Sequence, residues 1–223
     1  GLLLYAVVPT LSGAVSCRPS PRLYRRQDVD GKPAWPDSLR HTSVLRDRVI
    51  VAGMKVLSVN VGLPREVVVD HSRVLTSIFK APISGRPAVR PHNVEGDQQS
   101  DLSVHGGPAK AVYAYPHEHY AFWREQLPGV DLQPGHFGEN LTIEGLREAD
   151  VHVGDRFRVG TAELVVTQPR LPCFKLGIRF GRPDMVKRFH ASGRSGFYLS
   201  VAVAGDVAAG DAVMVLERNR SAV

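Results

Sequence analysis

Cysteine is nearly absent: two residues, Cys17 and Cys173, occur in 223. That excludes a disulfide-dense scaffold, a four-cysteine zinc site and an iron–sulfur cluster held by this chain alone. Long apolar runs are also missing. None approaches the roughly 18–20 residues a membrane helix needs, so no membrane partnership is expected. There is no Gly-rich phosphate loop ending in Lys-Ser/Thr, no Gly-x-Gly-x-x-Gly after a strand and no Gly-x-Ser-x-Gly elbow. His117 and His119 lie two apart, which is not one helix face and not the His-Glu-x-x-His order of a zinc protease, so both read as surface residues. A dense basic stripe is lacking too. Of the net charge of +6, residues 1–53 carry +4, from eight Lys/Arg against four Asp/Glu. The remainder carries twenty against eighteen, and specific nucleic-acid binding is not expected.

The first 53 residues differ from the rest in pattern as well as charge. They hold five of the sixteen prolines and no sustained period of 2 or 3.6. Their apolar start, Leu2 to Val8, has its positive charge after it, whereas a secretory signal carries the charge before it. This stretch reads as a disordered leader or an over-extended reading frame, with no role for Cys17. Met54 opens the folded domain, which is expected to run to residue 218.

From Met54 the chain alternates in short β-branched runs: Lys55–Gly62, Glu66–Asp70, Arg73–Phe79, Ala88–Val94, Lys110–Tyr115, a strand within Phe137–Glu144, a hairpin of 151–160 with 162–168, then Phe197–Val203 and Val213–Glu217. Turn residues separate them every 8–12 positions, the pattern of an all-β barrel or sandwich. Two short helices are expected outside it. One starts at Pro116 and carries Tyr120, Trp123 and Leu127 at helical spacing; the other spans 184–190.

Four segments carry chemistry. Gln168-Pro169-Arg170-Leu171-Pro172-Cys173-Phe174-Lys175 sets the one cysteine of the folded region between two cations that favour its thiolate, a nucleophile and soft-metal ligand. Asp101 to Lys110 contains His105-Gly106-Gly107, whose glycines allow close backbone approach to a ligand, with Lys110 following. Gly138-Glu139-Asn140 presents a carboxyl and an amide together. Gly193-Arg194-Ser195-Gly196 brackets an arginine in a form suited to phosphate or carboxylate. Each segment also has a plain structural reading: a buried inert thiol, a surface turn, a loop-to-strand turn and a hairpin connection.

Taken in order, Gly96-Asp97-x-Gln99-x-Asp101, His105-Gly106-Gly107, Lys110-Ala111-Val112-Tyr113, Phe137 to Leu141, Gly154-Asp155, Gln168 to Lys175 and Gly193-Arg194-x-Gly196-x-Tyr198 resemble the MOSC domain family, closest to its stand-alone bacterial, YiiM-like branch. The resemblance covers roughly residues 55–216. It implies a β-barrel akin to the barrel domain of pyruvate kinase. It also implies a molybdenum cofactor of molybdopterin type bound through Cys173, and reduction of N-hydroxylated compounds, such as hydroxylaminopurines, to amines. A family-level association with pyridoxal phosphate binding comes with it. On this resemblance Cys173, His105 and Glu139 are expected to be catalytic, with Cys173 as the metal ligand. Lys110, Asn140, Arg170, Lys175, Arg194, Gly106, Gly107 and Gly138 are expected to bind the cofactor. A reductase partner would supply electrons, and the location would be cytoplasmic. The alternative is a non-redox carrier of the cofactor, or of sulfur as a persulfide, on Cys173. Ala109 stands where the family usually has Asp. The three-helix tail that YiiM-like proteins often carry after the barrel has no counterpart in this sequence.

Overall fold

A computed structural model describes residues 53–100 and 106–219. The expected leader, Cys17, Asp101 and His105 lie outside the described residues.

The elements run β1 (Lys55–Val61), β2 (Arg65–Val69), β3 (Ser72–Thr76), β4 (Ala81–Ile83), β5 (Ala88–Arg90), β6 (Asn93–Val94), β7 (Val112–Pro116), α1 (Glu118–Gln126), β8 (Leu141–Glu144), β9 (Arg156–Val159), β10 (Ala162–Pro169), α2 (Phe174–Phe180), α3 (Met185–Ser192), β11 (Phe197–Val203), β12 (Gly205–Asp206) and β13 (Val213–Glu217). The expectation of a mainly β chain with few helices is met. Eight strands form the main sheet in the order β13-β9-β10-β11-β7-β8-β1-β4, and β2–β3 is a separate hairpin. All of its pairings are antiparallel except β7 with β8, which α1 connects as a crossover.

The closed barrel is not found: the sheet is open, with β13 and β4 at its edges. Its ends approach at one bridge between Lys55 and Ala212, where Val56 N donates to Asp211 O (2.9 Å) and Val213 N to Met54 O (2.9 Å). The chain just before β13 stays against β1, where Gly210 N donates to Val56 O (2.8 Å). β12 pairs with β5 in a small three-stranded sheet, and Arg86 holds Asp211 by two hydrogen bonds of 2.7 and 2.8 Å. The full ladder of β13 is with β9.

The interior of the sheet is aliphatic, built from Val56, Val59, Val112, Leu141, Leu164 and their neighbours around Phe157 and Phe197. Alternating strand residues deliver these side chains to one face. A second core lies between the sheet and the helices and is aromatic. Tyr115 stacks on Phe137 at 4.6 Å, and Trp123 Nε1 donates to the Tyr115 hydroxyl (2.7 Å).

Two helical expectations need correction. Pro116 ends β7 rather than starting a helix: the strand's parallel pairing reaches Pro116 opposite Ile143, and His117 N continues it by donating to Ile143 O (2.6 Å). The helix begins at Glu118. α2 was not expected at all. It is seven residues long and contains Gly177, which fits because a Cβ there would come within 3.0 Å of Arg182 O in the turn to α3. Among the described residues no helix is long and apolar enough to cross a membrane.

Candidate functional site

Where β7, β10 and β11 end near α2, a cleft of about 110 Å³ opens beside Cys173. Its walls bring together Lys110, Gly138, Asn140, Arg170, Cys173 and Lys175 from three segments far apart in sequence. All six were expected. The cleft adds residues that sequence reasoning did not single out for the site: Lys80, Asp97, Gln99, Tyr113 and Tyr198.

The Cys173 loop is stiff for identifiable reasons. Pro169 closes β10 opposite Phe197, and Arg170 N donates to Gly196 O (3.2 Å). Gly196 has φ +63°, and a Cβ there would run into Ala114 O and the rings of Tyr113 and Tyr115. Glycine is required at that close approach. Gly196 N in turn donates to Glu148 Oε1 (2.6 Å), while Glu148 Oε2 meets His119 Nε2 at 2.7 Å. His119 is thus a buried structural partner, not a surface residue.

Arg170 is the most telling side chain of the cleft. It is buried, its guanidinium lies over Tyr113 at 4.9 Å and over Phe189 at 5.2 Å, and its Nη1 has no hydrogen-bond partner among the described residues. Burial alone would push its proton off, but the oxygens of Tyr113 and Tyr198 and the sulfur of Cys173 hold its pKa up. Burial keeps both tyrosines protonated well past neutrality. A guanidinium without an anion, with one nitrogen orphaned, is a costly arrangement unless a ligand completes it.

A hydrogen-bond network ties together much of the polar cleft wall. Lys80 Nζ donates to Asp97 Oδ1, an oxygen that also accepts from Gly62 N (2.8 Å); Asp97 Oδ2 accepts from Asn140 Nδ2 (2.9 Å). Burial lowers the pKa of Lys80, and Asp97 opposes that shift. Asn140 Oδ1 accepts from Tyr113 N (3.1 Å), tying the loop to β7. Gln99 clamps the turn before β7: its Oε1 accepts from Gly107 N (3.0 Å) and its Nε2 donates to Lys110 O (3.0 Å). Lys110 is thereby presented at the cleft by a residue that is itself in the cleft wall. Both Asp97 and Gln99 stand in the Gly-Asp-x-Gln motif, the signal that could have found them. Lys80 has no motif of its own to mark it.

Four expected site residues, Glu139, Arg194, Gly106 and Gly107, stand elsewhere. Glu139 is fully buried behind the cleft. Its carboxylate accepts from the Tyr120 hydroxyl, Gly135 N (2.9 Å), Phe137 N (3.1 Å) and Thr142 Oγ1 (3.0 Å), although burial raises its pKa. It anchors the loop that carries Gly138 and Asn140, and it does not line the cleft. Arg194 follows Gly193, the left-handed C-cap of α3; it donates from Nη1 to Ser192 O (3.1 Å) and stacks over Phe122 at 3.8 Å. The glycines around it serve backbone geometry, so it lies outside the cleft. Gly106 and Gly107 do not line the cleft; Gly107, at φ +91°, turns the chain toward Lys110. Gly138, at φ +82°, does line it.

The donor set suits a group with a soft metal and an anionic part. Cys173 is half-buried at the cleft wall and offers the one thiol among the described residues. Lys110, Lys175 and the unsatisfied Arg170 offer positive charge beside it. No group of three or more His, Cys, Asp or Glu side chains that could bind a metal by themselves occurs among the described residues.

Comparison with known proteins gives one consistent answer. Residues 101–214 match the family model of the MOSC domain. The chain is 43% identical over 168 residues to the uncharacterized protein YflK of Bacillus subtilis, covering 75% of this chain and 76% of that one. It is 36% identical over 148 residues to a protein named reductase from Gibberella moniliformis, covering 65% of this chain but 26% of that much longer one. Among solved structures, the crystal structure of YiiM from Geobacillus stearothermophilus superposes with a TM-score of 0.63 at 36% identity, covering 76% of this chain and 78% of that one.

Proposed function

The chain belongs to the MOSC domain family, and from that membership we propose that it holds a molybdenum cofactor of molybdopterin type in the Cys173 cleft and reduces N-hydroxylated small molecules to amines. The observation that carries this reading is the buried Arg170 Nη1, which has no hydrogen-bond partner among the described residues and sits in the same cleft as a thiol and lysines. Cys173 would be the metal ligand, because thiolate is a soft donor. Arg170, Lys110 and Lys175 would hold the anionic part of the cofactor, with Arg170 gaining the acceptor it lacks. Asn140, fixed by Asp97 and Tyr113 N, would keep the cleft wall in place. When bound, the cofactor supplies the two-electron redox centre that side chains do not provide. The overall reaction consumes two electrons and two protons, cleaves the N–O bond and releases the amine and water. A reductase partner would supply the electrons, in the cytoplasm, where the Cys173 thiol stays reduced.

The test is turnover. Protein expressed in a cofactor-competent host should reduce N-hydroxyadenine or a simple hydroxylamine with dithionite-reduced viologen, and Cys173→Ser should lose that rate to background. Wild-type rates in Cys173→Ser would overturn the reading. The accessibility of Cys173 favours one second reading, a sulfur carrier. Purified protein would then show the mass of one added sulfur on Cys173, removable by reductant, with no molybdenum and no turnover.

A further inference from the structure

The chemistry of the Cys173 cleft leaves unexplained a second feature of the same loop. Phe174, the next residue, is 58% exposed, and Val68 on the β2–β3 hairpin is 72% exposed. They stand at the two banks of a groove of about 690 Å³ whose floor includes Val67, Val69, Phe79 and Ile178. Large apolar side chains left in water at facing positions mark a surface that another molecule covers.

The charge around this groove is predominantly positive, although Asp70 lines it beside Arg182 and Glu66 on the same hairpin pairs with Arg73. Residues 170–194, which build the Cys173 loop, α2 and α3, contain seven Lys/Arg and one Asp. Arg65 lies over the Phe79 ring at 3.4 Å and Arg179 over the same ring at 5.2 Å. Neither has a carboxylate within ion-pair distance among the described residues; Arg179 instead donates to His136 O (3.3 Å) and faces its Nδ1 (3.3 Å). Burial and Arg179 push His136 down to about 4, so it is neutral at physiological pH and adds no charge of its own. The single acid of the segment, Asp184, is shared by Arg182 (3.0 Å) and Arg188 (3.6 Å). An apolar groove with a cationic rim is complementary to an acidic partner with an exposed apolar centre.

We propose that the groove between the β2–β3 hairpin and α2, with Phe174 at its edge, is the docking site of an acidic electron-carrier protein that feeds the Cys173 cleft. This rests on the reductive function proposed above: two electrons are needed for each N–O bond cleaved, and a carrier seated here touches the residue adjoining Cys173. The cationic rim speeds encounter and orients the carrier, while Phe174 and Val68 bury against it.

The experiment has a binding arm and a turnover arm. Calorimetric titration of the full chain with an acidic [2Fe–2S] ferredoxin, and separately with an acidic flavodoxin, is expected to show binding to at least one of them at 50 mM NaCl. Binding should weaken at least tenfold at 200 mM. Phe174→Ser, Val68→Ser and the charge reversals Arg65→Glu and Lys187→Glu should each weaken binding severalfold. These variants should also lower turnover driven by that carrier by a similar factor, yet leave turnover driven by dithionite-reduced viologen unchanged. The docking site is overturned if neither carrier binds while viologen-driven turnover is present. It is likewise overturned if the variants bind the carrier as wild type does, or if the variants instead dissolve a dimer of the chain seen by sedimentation. Absence of viologen-driven turnover in wild type would refute the reductive function, and the binding arm still judges the surface on its own.

Discussion

The sheet interior and the Cys173 cleft are built on opposite principles from neighbouring strands. The interior faces of β1, β8, β10 and β11 bury aliphatic side chains such as Val56, Leu141, Leu164 and Leu199, with nothing left unsatisfied. The cleft end of β7 and β10 buries Arg170 and Lys175, and beside it a Lys80–Asp97 ion pair with side chains 9% and 3% exposed. Burial stabilises the first region and costs free energy in the second. The difference teaches that the fold is secured by the sheet, which lets the cleft hold the buried cation of Arg170.

Truncating the interior should have the largest effect. Phe157→Ala removes a fully buried ring from the aliphatic core and is expected to cost about 3–5 kcal/mol. Urea denaturation measures it, and phosphate binding to the surviving folded protein should be unchanged. Asp97→Ala comes next, at about 3 kcal/mol, because it leaves the Lys80 ammonium buried without its partner. The sign with pH is fixed. Burial already lowers the folded pKa of Lys80, and losing Asp97 lowers it further. The unfolded chain then binds more protons than the folded one, so stability rises with pH toward the ordinary lysine value. The Asp97→Ala defect should therefore be larger at pH 7 than at pH 10.

Arg170→Met inverts the pattern. It replaces a buried cation with an orphaned nitrogen by an apolar chain, so the stability of the ligand-free protein should stay within about 1 kcal/mol of wild type or rise. Retention of the cofactor, or of inorganic phosphate in a calorimetric titration, should fall at least tenfold. A loss of stability as large as that of Phe157→Ala would show that Arg170 is a structural residue and erase the contrast between the regions. Glu148→Gln should have the smallest effect. Burial raises the Glu148 pKa, but His119 and Gly196 N more than offset this and hold it below the usual carboxylate value. Its contribution is present above the unfolded carboxylate pKa and lost as pH falls through the folded one. The variant should flatten the acid limb of a stability–pH profile.

Much of this was legible in the sequence, and the failures share a cause. The strands were readable because alternation and turn residues act locally, as in Lys55–Val61 and Ala162–Pro169. Cys173, Arg170, Lys175, Lys110, Asn140 and Gly138, residues of one cleft, were legible as candidates because proline and glycine fix backbone geometry next to reactive side chains. The same cue misled at Arg194 and Glu139, where the glycines serve a helix cap and a tight loop. Lys80 was invisible because its meaning comes from Asp97, seventeen residues away. α2 was hidden by its length, and the strand order of the open sheet by long-range pairings such as Lys55 with Ala212. Pairings of that range leave no local pattern to read.

The measurement that bears most directly on the cleft as a metal site is the molybdenum content of purified protein. Wild type, Cys173→Ser and Cys17→Ser should be expressed side by side in a cofactor-competent host, with circular dichroism to show that each is folded. Wild type and Cys17→Ser are expected to carry molybdenum in proportion to protein, and folded Cys173→Ser to carry only background. Folded Cys173→Ser with wild-type molybdenum content, or wild type with none, would contradict the assignment.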